Sequence, residues 1–265
     1  MNGYDFRGKH VLVTGASMGI GERFARALAA RGARLILVAR SRDKLEALAR
    51  DLGQGAEVIV EDLAQPGAAA HVLAAVQARG LTVDVLINNA GFGKYGPFEQ
   101  QPIDELRSMI DLNVRSLVEM THAFLPLLER NRGGVIQVAS TAAFQPVAFM
   151  SVYAASKAFV LSFSEALWAE YAPRGVRVLA LCPGATETPF FARAGEEAAF
   201  GAKASPDAVV RLGLEAFAAG RSTVVHGVAN RLTSALPRLF PRSWVLKITA
   251  RMMQPKPALL ARSTR

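Results

Sequence analysis

From residue 10 to residue 182, short apolar runs alternate with longer stretches of helical spacing, and few folds accommodate that alternation. The runs at 10–14, 34–39, 58–60, 83–87, 134–139 and 176–181 are predominantly apolar, as strands buried on both faces must be. Helices are predicted between them at 21–31, 43–52, 66–79, 103–130 and 152–171. Strands joined through helices pair in parallel, with right-handed crossovers and helices on both faces of the sheet. Ser205, Pro206 and Asp207 then read as an N-cap with proline in the first turn, opening a helix to 219. Residues 223–226 suit a last strand. The expectation is one α/β domain over 1–229, a doubly wound parallel sheet, followed by an extension over 230–265.

Charge separates that extension from the body. The chain carries 31 Lys and Arg against 22 Asp and Glu, a net charge of +9. Nine of the basic residues and none of the acidic ones fall within 221–265, so the rest balances at 22 against 22. A neutral body with a basic end argues against a chain that coats nucleic acid and for a local electrostatic contact. Phe240, Trp244, Ile248 and Met252 lie four apart with Val245 alongside, interspersed with Arg238, Arg242, Lys247 and Arg251. This predicts a basic amphipathic helix over 238–253 with two roles open to it. It lies on an anionic membrane surface, or it covers the chain's own substrate pocket or a partner subunit. Cys182 is the single cysteine, and no secretory leader or spanning apolar run is visible. The expected location is the cytoplasm, peripheral to a membrane if the tail takes the first role.

The first strand runs into Thr14-Gly15-Ala16-Ser17-Met18-Gly19-Ile20-Gly21, and a helix follows. Glycines at 15, 19 and 21 let the backbone approach a pyrophosphate closely, and the helix N-terminus offers free N–H groups to it. Ser17, Met18 and Ile20 line the same turn. A tight turn without a ligand is the bland alternative, which the strand before and the helix after disfavour. The fold is therefore read as Rossmann-type. An NAD site ends its second strand with an acid that binds the ribose hydroxyls. Here Ala39 and Arg40 stand at that place, with Ser41 and Arg42 beyond. Alanine cannot accept those bonds, whereas arginine pairs with a 2′-phosphate, so NADP is expected. The alternative is an Arg40 that merely caps a strand in solvent.

Tyr153 and Lys157 are four residues apart at the start of a helix, on one face. A cation beside a phenol favours the phenolate and makes the tyrosine a plausible proton donor or acceptor. Ser140 ends the fifth strand and Asn88-Asn89-Ala90-Gly91 ends the fourth, at the edge where open α/β sheets bind ligands. Asn113 lies within the next helix, where an amide ordinarily serves packing and is here also placed to hold a water. His71 and His122 keep no metal-ligand spacing with other donors, and no metal is expected.

Together these motifs resemble the short-chain dehydrogenase/reductase family, over roughly residues 7–226. Thr14 to Gly21 matches its glycine loop and Asn88 to Gly91 its Asn-Asn-Ala-Gly signature. Asn113, Ser140, Tyr153 and Lys157 match its catalytic tetrad in order and spacing. Pro183-Gly184 through Thr188 matches its nicotinamide-side loop, though Thr186 stands where an apolar residue is more frequent. The resemblance implies that Tyr153 exchanges a proton with the substrate oxygen while hydride moves to or from nicotinamide. Lys157 would lower the tyrosine pKa and bind the nicotinamide ribose, Ser140 would hold the substrate oxygen, and Asn113 would position a water. Asp62, with Leu63 beside it, would contact adenine, and Asn89, Ala90 and Gly91 would line the adenosine side. Thr188 would steady the carboxamide or the phosphates. It also implies a homodimer or homotetramer through the helices at 103–130 and 152–171. The rival is a protein of the same fold that senses NADP without turnover, and retention of both Tyr153 and Lys157 argues against it.

Substrate choice falls to the loop after the sixth strand, with Phe190, Phe191 and Phe200, and to Phe92, Tyr95, Phe144 and Phe149 near the other strand ends. An apolar pocket for a ketone, aldehyde or acyl chain is expected. The alternative is that several of these rings only pack beneath a lid helix.

Overall fold

A computed structural model describes residues 3–53, 55–199 and 201–254. The chain runs β1 (His10–Thr14), α1 (Gly19–Ala29), β2 (Arg34–Ala39), α2 (Arg42–Leu52), β3 (Glu57–Val60), α3 (Ala68–Ala78) and β4 (Val85–Asn88). It continues with α4 (Ile103–Ile110), α5 (Ser116–Arg130), β5 (Gly134–Val138), α6 (Ser151–Tyr171), β6 (Arg177–Cys182) and α7 (Phe190–Ala194). Last come α8 (Pro206–Ala218), β7 (Thr223–Val225), α9 (Val228–Ala235) and α10 (Arg242–Met252). The strands form one parallel sheet in the order β3-β2-β1-β4-β5-β6-β7. The order reverses between β1 and β4, the switch point at which such sheets open a crevice.

Alternation along β1 divides the core in two. Val11 and Val13 pack with Phe24 and Leu28 of α1 and with Leu214 and Phe217 of α8. Leu12 points the other way, among Val72 and Val76 of α3 and Met120, Phe124 and Leu128 of α5. Both sheet faces are thus covered, as the apolar runs require.

The helix expected at 103–130 is interrupted. Asp111–Arg115 is wound as a π-helix between α4 and α5, and Asn113 sits at its centre, buried. Such insertions widen one turn and re-aim the side chains on it. β4 starts at Val85, and just before it the backbone of Asp84 still pairs with His10 at 2.9 Å and with Gly134 at 3.0 Å. The Asp84 carboxylate accepts from the His10 backbone N–H at 2.8 Å and from Lys9 Nζ at 3.2 Å. α3 starts at Ala68, after Gly67 takes a left-handed φ of +78°, so Pro66 lies outside it. Ser205 precedes α8 as expected, but its side chain makes no capping hydrogen bond. α9 spans residue 229, where the body was expected to end.

Candidate active site

The carboxyl ends of the strands border a cleft of about 680 Å³, within the range of small-molecule sites. Its floor is built by Thr14. The Thr14 hydroxyl donates to the Ile87 carbonyl at 3.2 Å and accepts from the Asn89 and Ala90 backbone N–H groups, both at 3.0 Å. Asn89 Nδ2 donates in return to the Thr14 and Gly15 carbonyls at 2.9 and 3.3 Å. The β1 and β4 ends are thereby stitched together. Gly15 turns left-handed there, with a φ of +65°. A side chain at Gly21 would strike the Gly15 carbonyl and the Asn89 amide. No side chain caps α1, so the N–H groups of its first turn are left for another acceptor. That cradle fits an anionic group such as a pyrophosphate.

Arg40 leaves the end of β2 with a largely exposed guanidinium, 3.9 Å from the Asp62 carboxylate. Asp62 also accepts from the Ala64 N–H at 3.2 Å. β2 itself offers no acid at its end, and Arg40 lines the cleft there beside Glu61 and Asp62, which follow β3.

At the other end, Ser140 follows β5, and its Oγ accepts from the Ala142 N–H at 3.1 Å. Tyr153, in the first turn of α6, faces it. Burial pushes the Tyr153 phenol up to about 12, against a smaller downward pull from hydrogen bonding with Ser140. Lys157 lies one turn on, its Nζ 5.9 Å from the Tyr153 ring centroid, donating to the Val138 carbonyl at 2.7 Å. Burial draws the Lys157 ammonium down to about 8. The phenol depressed by its neighbouring cation, expected from the sequence, is not what this geometry holds. Desolvation outweighs the cation here because Lys157 is directed at a strand carbonyl rather than at the phenol oxygen.

Of the expected catalytic-tetrad and cofactor-contact residues, all but Gly21 and Asn113 line the cleft. Gly21 lies beneath the loop that it permits. Asn113 Oδ1 accepts from the Phe92 N–H at 3.1 Å, and its Nδ2 donates to the Phe92 carbonyl and to Ser156 Oγ at 2.9 and 3.0 Å. Its side chain therefore clamps the loop after β4 to α6 from behind. Gly91 leaves room for that clamp, since a Cβ there would stand 2.9 Å from Asn113 Oδ1 and 3.4 Å from Lys157 Nζ. Across the cleft Thr186 Oγ1 donates to the Gly184 carbonyl at 2.9 Å, and the Thr188 side chain faces Gly19.

The apolar wall is narrower than the sequence implies. Phe92, Phe190 and Phe191 line the cleft. Phe144 packs instead against the Leu117 and Val160 cluster, and Tyr95 and Phe149 face one another with centroids 6.2 Å apart. Phe200 lies outside the described residues. Three features at the cleft carry no sequence motif. Gly93 admits the Tyr153 and Phe190 rings, which lie 5.5 Å apart. Asn230 of α9 packs on Gly184. Arg193 of α7 sits 3.4 Å over the Phe92 ring, its guanidinium pKa lowered by burial and then by the charge of Arg40. A Cβ on Gly93 would approach Phe190 to 2.8 Å and Tyr153 to 3.0 Å. Gly93→Ala is expected to displace the phenol and lower kcat about tenfold, with at most 1–3 kcal/mol lost in thermal unfolding. Wild-type kcat in that variant would show that the ring has slack.

The chain matches the family model described as short chain dehydrogenase over residues 9–199. It is 36% identical over 181 residues to serine 3-dehydrogenase of Agrobacterium fabrum, covering 68% of this chain and 73% of that one. It is 38% identical over 176 residues to an NADP-dependent 3-hydroxy acid dehydrogenase of Salmonella typhi, covering 66% and 71%. A short-chain dehydrogenase from Sphingobium yanoikuyae, solved in complex with NADPH, superposes with a TM-score of 0.78 at 33% identity, covering 90% of this chain and 95% of that one. A seven-stranded parallel sheet, a glycine cradle at its switch point and a family match over most of the chain lead to one assignment: the chain belongs to the short-chain dehydrogenase family, oxidoreductases that act between an alcohol and a carbonyl.

Proposed function

We propose that the chain is an NADP(H)-dependent oxidoreductase for an apolar carbonyl or alcohol, with Tyr153 as its general acid and base. The observation that carries this reading is the convergence of Ser140, Tyr153 and Lys157 at one end of a cleft whose other end pairs a glycine cradle with Arg40. NADP(H) would supply or accept the hydride. The N–H groups of α1 and the Gly15 to Gly21 loop would hold its pyrophosphate, and Arg40 its 2′-phosphate. Asp62 and Leu63 would border adenine, Asn89 to Gly91 the adenosine side, and Pro183 to Thr188 the nicotinamide side. Ser140 would orient the substrate oxygen and Tyr153 would give it a proton in reduction or take one in oxidation. Lys157 would keep positive charge beside the phenol as that proton leaves. Asn113 would act from behind, by fixing the loop and helix that carry these groups.

The relatives' names refer to polar substrates, serine and a 3-hydroxy acid. The family model stops at residue 199, before the C-terminal helices that close this cleft. α10 contributes Ile248 and Met252 to it, and the connection from α9 contributes Leu236 and Phe240, beside Phe190 and Phe191. This lining supports a hydrophobic ketone, aldehyde or acyl chain. Phe159 and Trp168 remain exposed on α6, which supports a homodimer or homotetramer through α4, α5 and α6.

Nicotinamide fluorescence on titration, followed by absorbance decay with a panel of apolar ketones and aldehydes, tests the reading. Arg40→Asp is expected to weaken NADPH binding by about 10- to 100-fold, the worth of charge-assisted bonds to a phosphate, and to strengthen NADH binding. A wild-type protein that prefers NADH would refute the role given to Arg40. NADPH binding without turnover of any carbonyl would refute the catalytic one.

A further inference from the structure

Of fifteen large apolar side chains exposed among the described residues, nine fall between Val228 and Met252. They belong to α9, α10 and the turn between them. Leu236, Phe240, Ile248 and Met252 are at once exposed and part of the cleft lining, so the apolar surface is the rim of the cleft itself. α10 is fixed in place on its inner side. Met253 is buried, and its carbonyl accepts from Tyr95 Oη at 2.7 Å. Its outer side is left with Trp244, which is 58% exposed, beside Lys247 and Arg251.

The charge on α9, α10 and the turn between them has one sign. Arg231, Arg242, Lys247 and Arg251 are exposed, and the sequence holds no acidic residue after Glu215. A second copy docked about a two-fold axis would set the same four cations against themselves. An anionic bilayer complements them and takes the apolar side chains as well. α10 has 11 residues, about 16 Å of helix, and cannot cross a hydrocarbon core of about 30 Å. Among the described residues no helix is long and apolar enough to cross a membrane. A basic amphipathic segment of this length lies in the plane of the interface.

We infer that the α9–α10 face seats on an anionic lipid surface, with the mouth of the cleft against the bilayer, so that an apolar substrate passes from lipid to Tyr153 without crossing water. The route for substrate rests on the function proposed above, whereas the docking does not.

The full chain is incubated with vesicles of phosphatidylcholine alone or mixed with phosphatidylserine, and bound protein is separated by flotation. In a Trp168→Phe background the emission of Trp244 is followed at the same time. The expected result is flotation with the phosphatidylserine vesicles, a blue shift of Trp244, and loss of both as salt is raised. Lys247→Glu with Arg251→Glu is expected to lower partitioning about 30-fold or more, given roughly fivefold for each basic residue at such a surface. That double variant is expected to keep NADPH binding and turnover of a water-soluble ketone, since neither residue lines the cleft. Equal flotation with both vesicle types, an unchanged double variant, or self-association without lipid that the double variant abolishes in ultracentrifugation would each overturn the docking. None of these readouts needs cofactor or substrate, so a failure of the enzymatic reading leaves them interpretable.

Discussion

Tyr153→Phe is expected to lower kcat for carbonyl reduction by about 10²- to 10⁴-fold, the range contributed by a positioned general acid, while NADPH binding persists. The variant keeps the ring that packs on Phe190 at 5.5 Å and removes one oxygen. The Lys157 ammonium is directed at the Val138 carbonyl and does not take the place of that oxygen. The phenol is the more suitable donor for being held up to about 12, since it stays protonated across the physiological range until negative charge develops on the substrate oxygen. Removal of the phenol oxygen costs about 1 kcal/mol of stability, too little to unfold the protein. Nicotinamide fluorescence with the purified variant separates a lost proton from a lost site. Turnover within about tenfold of wild type would place the proton donor elsewhere and leave Tyr153 a packing residue.

What the sequence made legible and what it did not divide along a physical line. β1, the glycine loop and α1 are set by local rules: an apolar run, residues that tolerate positive φ, and a helix with no cap of its own. Gly15, Gly19 and Arg40 could be read for that reason, as could the Ser140, Tyr153 and Lys157 spacing. Asn113 was legible as a position but not as a job. Its side-chain partners, Phe92 and Ser156, lie 21 and 43 residues away, and the π winding that turns it inward leaves no pattern in a run as ordinary as Asp111 to Arg115. The tie of the Asp84 carboxylate to the His10 N–H spans 74 residues and has no local pattern. Tyr95, Phe144 and Phe149 were misplaced because aromatic content near strand ends does not say which way a ring faces. Arg193 and Asn230 reach the cleft only because α7 and α9 fold back over it, and no local rule places a lid. The sign of the Tyr153 shift was missed for a different reason. Proximity in sequence gave the cation but not its orientation, and desolvation of both partners depends on burial, which only the fold supplies.

Lys157 provides the second large effect. Its ammonium is drawn from an ordinary 10.5 to about 8, so it is charged at neutral pH and becomes neutral just above it. Reduction requires Tyr153 protonated, which holds to about 12, and Lys157 charged, which does not. The profile of kcat/KM for NADPH, which reports groups of the free enzyme, is therefore expected to fall through about pH 8, with no separate limb from tyrosine near 10. Lys157→Met is expected to lower kcat/KM about 10²-fold at pH 7 and to abolish that limb. Stability carries the opposite signature. Below about pH 8 folded and unfolded chains both hold the Lys157 proton, and between about 8 and 10.5 only the unfolded chain does, so raising pH through that window favours the folded state. Cys182, raised by burial from 9.0 to about 12, and Tyr153, raised from 10.0 to about 12, act in the reverse sense from pH 9 upward. Between pH 8 and 9 the lysine contribution stands alone among these three. Thermal unfolding across that interval is expected to show a rise in stability for the wild type and none for Lys157→Met. Parallel curves, together with a wild-type kcat/KM that stays flat to pH 10, would mean that Lys157 keeps an ordinary pKa. The charge beside the phenol would then be hydrated, and the burial on which both expectations rest would be wrong.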